Sequence, residues 1–111
     1  MHESHQVQHL IKHAQELLLE KKIVKPSRIT ILVGEALGFD EMSVRLHWEE
    51  FALGTPLESA QLVVNFAPVN LKCPACQFVF SKKKSQMDCP KCHTLGQPTD
   101  SGKEFKIVSI H

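Results

Sequence analysis

The chain has 111 residues, room for one ordinary domain or for a small one carrying a metal-held module. Its formal net charge of +1 excludes the strong basic excess of a general nucleic-acid or membrane binder, although residues 1–68 hold 6 Lys and Arg against 9 Asp and Glu while residues 69–111 hold 7 against 3. No run of about 18 apolar residues occurs, and Met1-His2-Glu3-Ser4 lacks the basic-then-apolar start of an export signal. The expectation is therefore a cytoplasmic protein whose cysteines stay reduced.

Residues 4–22 are predicted as an amphipathic helix, because Val7, Leu10, Ile11, Ala14, Leu17 and Leu18 recur at three- and four-residue spacing. Lys21, Lys22 and Lys25 gather near its end and Pro26 breaks it. Arg28-Ile29-Thr30-Ile31-Leu32-Val33 is β-branched and reads as a strand, with Ile29, Ile31 and Val33 on one face. Asp40 is placed to cap a second helix over 41–53, where Val44, Trp48 and Phe51 share a side and Gly54-Thr55-Pro56 follows. A second strand, 62–66, alternates Leu62, Val64 and Phe66, and a third is predicted over 105–110. A lone terminal strand is unstable, so the last one should return to the first sheet. The expected fold is α+β: two helices packed on a small three-stranded sheet, formed by residues 1–68 plus 103–111. A module at 69–102 is inserted between two of its strands.

That module holds all four cysteines, as Cys73-Pro-Ala-Cys76 and Cys89-Pro-Lys-Cys92. Two thiolates on one tight turn grip a metal from one side, and a second such turn closes a tetrahedron around Zn²⁺. Two C-x-x-C pairs separated by a single loop are the pattern of a structural zinc ribbon. Four thiolates leave no position for a catalytic water, and they give the site a formal charge of −2. Lys72, Lys82, Lys83, Lys84 and Lys91 are placed to offset that charge. Read instead as a phosphate contact they make a thin footprint, with three lysines in a row and no aromatic neighbours. Cys92-His93 also completes the C-x-x-C-H pattern of covalent haem attachment, but that reading leaves Cys73 and Cys76 unexplained. His93 is read as a loop neighbour of the zinc or an occasional substitute ligand.

The amino terminus is the second constellation. Met1 is expected to be retained because His2 is large. Its amine, the backbone nitrogen of residue 2 and the His2 imidazole can then form fused chelate rings suited to Ni²⁺ or Cu²⁺, with the Glu3 carboxylate as a further donor. The terminus is expected to be a short, exposed, flexible segment. His5, His9 and His13 follow at four-residue spacing, either as a solvated polar face or as a secondary metal site. The sequence offers no nucleophile with a base and no phosphate-cradling glycine loop.

Met1-His2-Glu3 opening a helix, a strand ending in Gly34-Glu35, Arg45-Leu46-His47-Trp48-Glu49 with Gly54-Thr55 in the second helix, and the C-x2-C-x12-C-x2-C ribbon with a final strand form a combined pattern. It resembles the HypA/HybF family of hydrogenase nickel-incorporation proteins over essentially the whole chain. The resemblance implies a nickel metallochaperone rather than an enzyme, with His2 as the nickel ligand beside Met1 and Glu3. It implies zinc on Cys73, Cys76, Cys89 and Cys92. Implied partners are a maturation GTPase, the large subunit of [NiFe]-hydrogenase and, in some organisms, urease accessory proteins, with the protein a monomer or homodimer and no nucleic acid bound. The rival reading is a zinc-ribbon nucleic-acid or transcription-assembly module. Two departures stand out: Gln77 and His93 replace the glycine that many members place after each C-x-x-C turn, and Ala36-Leu37-Gly38-Phe39-Asp40-Glu41 replaces the usual Ser-Gly and proline turn.

Overall fold

The computed structural model describes residues 2–82 and 87–111, with the backbone alone for His2. Met1, and Lys83 and Lys84 of the basic run, lie outside the described residues. In chain order the elements are α1 (His2–Glu20), β1 (Arg28–Gly34), a short 3₁₀ turn (Glu35–Leu37), α2 (Glu41–Ala52), β2 (Gln61–Ala67), β3 (Asn70–Lys72), β4 (Val79–Ser81), β5 (Gln97–Pro98) and β6 (Phe105–Ile110).

The predicted stripe of α1 is the one that packs: Val7, Leu10, Ile11, Ala14 and Leu18 are buried, with Leu17 half-buried at the margin. The helix starts two residues earlier than expected and stops at Glu20, well before Pro26. What stops it is Lys22, which adopts a left-handed φ of 57°. The Ile23 N–H then reaches the Leu18 carbonyl at 2.9 Å and the Lys22 N–H reaches that of Leu19 at 3.3 Å. Those two bonds are the capping pair that satisfies the last carbonyls of a helix, here with lysine where glycine is usual. Helix α2 begins as predicted, with the Asp40 side chain accepting from the Ser43 N–H at 3.2 Å. Val44, Trp48 and Ala52 are its buried face, and α1 packs against both α2 and β6.

Strand β1 is central in a sheet of order β2-β1-β6, which is why Ile29, Ile31 and Val33 are all fully buried. Arg28 and His111 exchange both backbone N–H···O bonds, at 2.9 and 3.0 Å. That exchange marks antiparallel pairing and ties the end of the chain back into the first sheet. Strand β2 does not show the expected alternation: Leu62, Val63, Val64 and Phe66 are all half-buried. It is an edge strand, and Arg45 on α2 donates from Nη1 to the Leu62 carbonyl at 2.8 Å. A satisfied edge carbonyl is one less site for another strand to pair with.

The chain forms two compact units. One comprises Met1–Leu32, Phe39–Asn65 and Phe105–His111; the other comprises Val33–Gly38 and Phe66–Glu104. Within the second, β3 is the centre of a separate sheet of order β4-β3-β5. Sequence periodicity does not reveal these strands because each is only two or three residues long. Residues 33–38 join this unit through the Gly34 N–H to Glu104 carbonyl bond and the Ala36 N–H to Gly102 carbonyl bond, at 2.6 and 2.8 Å.

Candidate metal centre

Strand β3 pairs antiparallel with β4, setting Leu71 opposite Phe80 and Lys72 opposite Val79, and runs directly into Cys73. Leu71 is fully buried beneath this small sheet. Gly96 is required there, since a Cβ would stand 2.6 Å from the Phe80 ring and 3.0 Å from the Met87 carbonyl.

The two C-x-x-C segments fold as copies of one turn. In the first, the Gln77 N–H donates to the Cys73 carbonyl and the Cys73 N–H to that of Phe78, both at 2.9 Å. In the second, the His93 N–H donates to the Cys89 carbonyl at 2.9 Å and the Cys89 N–H to that of Thr94 at 2.8 Å. Backbone N–H groups also point at sulfur, from Cys76 to Cys73 Sγ at 3.5 Å and from Lys91 to Cys89 Sγ at 3.4 Å. Each turn closes through a left-handed residue, Gln77 at φ 66° and His93 at φ 63°.

The four sulfurs lie within 4.8 Å of one another. Cys76 and Cys89 are 3.6 Å apart, Cys76 and Cys92 3.7 Å, and Cys73 and Cys92 3.1 Å. Sulfurs about 2.3 Å from a common metal in tetrahedral array stand about 3.8 Å apart, so the donor set and its spacing fit a four-thiolate metal site. No disulfide joins them; Cys73 and Cys89 are buried while Cys76 and Cys92 are exposed. The Thr94 side chain, then Cys73 and the Thr94 backbone, pull the Cys92 thiol down to about 6. For Cys76 the Phe78 backbone acts downward, but burial and the sulfurs of Cys89, Cys73 and Cys92 outweigh it and push the thiol up to about 12. Close sulfurs without a cation cannot all ionise, and this spread is how they share protons.

Around the cluster, Lys91 Nζ lies 4.3 Å above the Phe78 ring, and Phe78 stacks on Phe80 at 6.3 Å. Lys91 therefore has an aromatic neighbour, while Lys83 and Lys84 of the three-lysine run lie outside the described residues. The rings are separated from Lys91 along the chain and meet it only through the ribbon fold.

At the other end, α1 begins at His2, so Glu3 sits in a helical first turn rather than on a flexible segment. Its carboxylate is drawn onto α2: Oε1 accepts a short hydrogen bond from Ser43 Oγ and lies 3.5 Å from His47 Nε2. The Met1 amine and the His2 imidazole lie outside the described residues. His5, His9 and His13 are exposed on α1; His9 and His13 flank a shallow groove with Phe105 and Lys106, and His13 Nδ1 stands 3.9 Å from Glu16. The meeting of Ser43 and His47 with Glu3 is not legible in the sequence, where the two stand only as an i, i+4 pair beside the Val44/Trp48 face.

The family model described as "Hydrogenase/urease nickel incorporation, metallochaperone, hypA" matches residues 1–111. A hydrogenase maturation factor HypA from Caldanaerobacter subterraneus subsp. tengcongensis is 32% identical over 111 residues, covering 99% of this chain and 97% of that protein. Another so named, from Dehalococcoides mccartyi, is 31% identical over 110 residues, covering 99% and 92%. The solution structure of the Ni metallochaperone HypA from Helicobacter pylori superposes with a TM-score of 0.66 at 25% identity, covering 98% of this chain and 95% of that one.

Proposed function

The chain belongs to the HypA family of hydrogenase/urease nickel-incorporation metallochaperones, and from that premise we propose that it carries Ni²⁺ at its amino terminus and a structural Zn²⁺ in its cysteine cage. The observation that carries the division is the closed donor set of Cys73, Cys76, Cys89 and Cys92, whose sulfurs lie within 4.8 Å of one another. Four thiolates hold a metal tightly, couple it to folding and leave no position for exchange. Cargo needs a different set of donors.

The terminal donors are different in kind. The Met1 amine, the backbone nitrogen of residue 2 and the His2 imidazole offer nitrogen in one plane, a set that suits Ni²⁺, with the Glu3 carboxylate as a further oxygen donor. Such a site at the end of a chain is open to a competing ligand set on an acceptor. The acceptor in this reading is the large subunit of [NiFe]-hydrogenase, reached in the cytoplasm with a maturation GTPase; urease accessory proteins are the second route. The α+β part, residues 1–68 plus 103–111, presents the cargo, and the ribbon at 69–102 holds structure.

His2→Ala tests the assignment. The variant should lose specific Ni²⁺ binding in titration calorimetry while keeping its zinc content and its circular dichroism. An unchanged nickel affinity would remove His2 from the site.

A further inference from the structure

The Glu3 carboxylate is held from α2, and both of its partners there lie on one oxygen. Ser43 Oγ donates to Oε1, and His47 Nε2 stands 3.5 Å from the same atom. The Glu3 side chain is only 15% exposed and that of His47 34%, so both groups are largely withdrawn from water. His47 is itself fixed: its ring stacks on Phe51 with centroids 6.4 Å apart and planes 20° from parallel. Ser43 and His47 lie one turn apart on α2 and meet the first turn of α1 where Glu3 projects, with Phe51 one turn further along α2.

We propose that Ser43 and His47 are positioning residues for the nickel site, holding Glu3 by Oε1 and leaving its second carboxylate oxygen to serve as the donor to nickel. This rests on the terminal nickel reading given above. Carboxylates that bind metal are themselves held by hydrogen bonds, and those bonds set the donor's direction and basicity. Glu3 follows His2 directly, so fixing its carboxylate limits the freedom of this oxygen donor relative to the chelating donors that precede it in the chain. Ordering the third residue before the metal arrives removes part of the entropy that binding must otherwise overcome. Ser43 and His47 touch no metal in this arrangement; they act through Glu3.

The test is nickel titration calorimetry together with X-ray absorption at the nickel edge on zinc-loaded full-length protein. The Ser43→Ala/His47→Ala double variant should bind Ni²⁺ about tenfold more weakly, a loss typical of removing the groups that orient a ligand. Its first shell should also lack one oxygen donor. Alanine is the best helix former, so α2 should persist, with zinc content and circular dichroism as the check. Ser43→Thr should keep wild-type affinity because it keeps the hydroxyl, whereas Ser43→Val, which has the shape of threonine without the hydroxyl, should not. Equal affinities for the Thr and Val variants, or a double variant with wild-type affinity and donor set, would overturn the inference. A copy with one glycine added before Met1 separates the two levels. If that copy loses nickel while the double variant does not, only the positioning role fails. If the extended copy binds like wild type, the terminal site fails and the positioning role with it.

Discussion

Gln77 and His93 stand at equivalent places, each one residue past a C-x-x-C turn, and each holds a left-handed φ, 66° and 63°, that closes its turn back onto the first cysteine. A residue with a Cβ is strained there by about 1–2 kcal/mol, and glycine is not. Glycine gives back part of that gain through its freedom in the unfolded chain. Gln77→Gly and His93→Gly should therefore each stabilise the zinc-loaded protein by about 0.5–1 kcal/mol. Thermal unfolding checks this, and a lowered midpoint for both would show that the side chains contribute more than their backbone strain costs.

Gly34 gives the opposite expectation. Its φ of −71° suits any residue, but a Cβ there would stand 2.0 Å from the Gly102 carbonyl oxygen and 2.6 Å from the Lys103 nitrogen. Both are backbone atoms, held by the Ala36 to Gly102 and Gly34 to Glu104 hydrogen bonds. Gly34→Ala should cost about 3 kcal/mol, the upper range for overpacking, because neither wall can give way. Gly38→Ala and Gly54→Ala, at φ 71° and 80° with open space around them, should cost less. Denaturant midpoints of the three variants should rank in that order.

The proton inventory of the sulfur cluster predicts how metal uptake depends on pH. With Cys92 pulled down to about 6 and Cys76 pushed up to about 12 in the folded cluster, Cys92 is expected to meet zinc at pH 7 as a thiolate and Cys76 as a thiol. Zinc needs all four thiolates, so uptake at pH 7 should release fewer than four protons, Cys76 supplying one. Affinity should therefore already fall with pH above 6, and fall more steeply as pH drops through about 6 and Cys92 takes up a proton too. Calorimetry in buffers of different ionisation enthalpy counts these protons. A release of four at pH 7 would mean that Cys92 enters as a thiol.

Long elements were legible in the sequence because their signals are local. The α1 stripe, the Asp40 cap, the β1 alternation and the return of Phe105–Ile110 to the first sheet all follow from periodicity and capping chemistry. The cysteine cage was legible for the same reason, since its spacing is its geometry. Strands β3 to β5 were not, because two or three residues carry no period. Lys22 hid the end of α1, where a glycine would have announced it. The attachment of Glu3 to Ser43 and His47 joins residues 40 or more apart in sequence, and no local pattern encodes that meeting.

The placement of nickel on the terminal amine and its neighbours underlies everything else proposed for nickel delivery by this chain. It is tested most directly by calorimetric Ni²⁺ titration of tag-free, zinc-loaded protein beside the copy carrying one extra glycine before Met1. The insertion moves the amine away from His2 and leaves every side chain in place. One-to-one binding is expected in the native chain, and its loss in the extended one. Equal binding by both would contradict it and move the nickel elsewhere, with His5, His9 and His13 on α1 the next donors to remove.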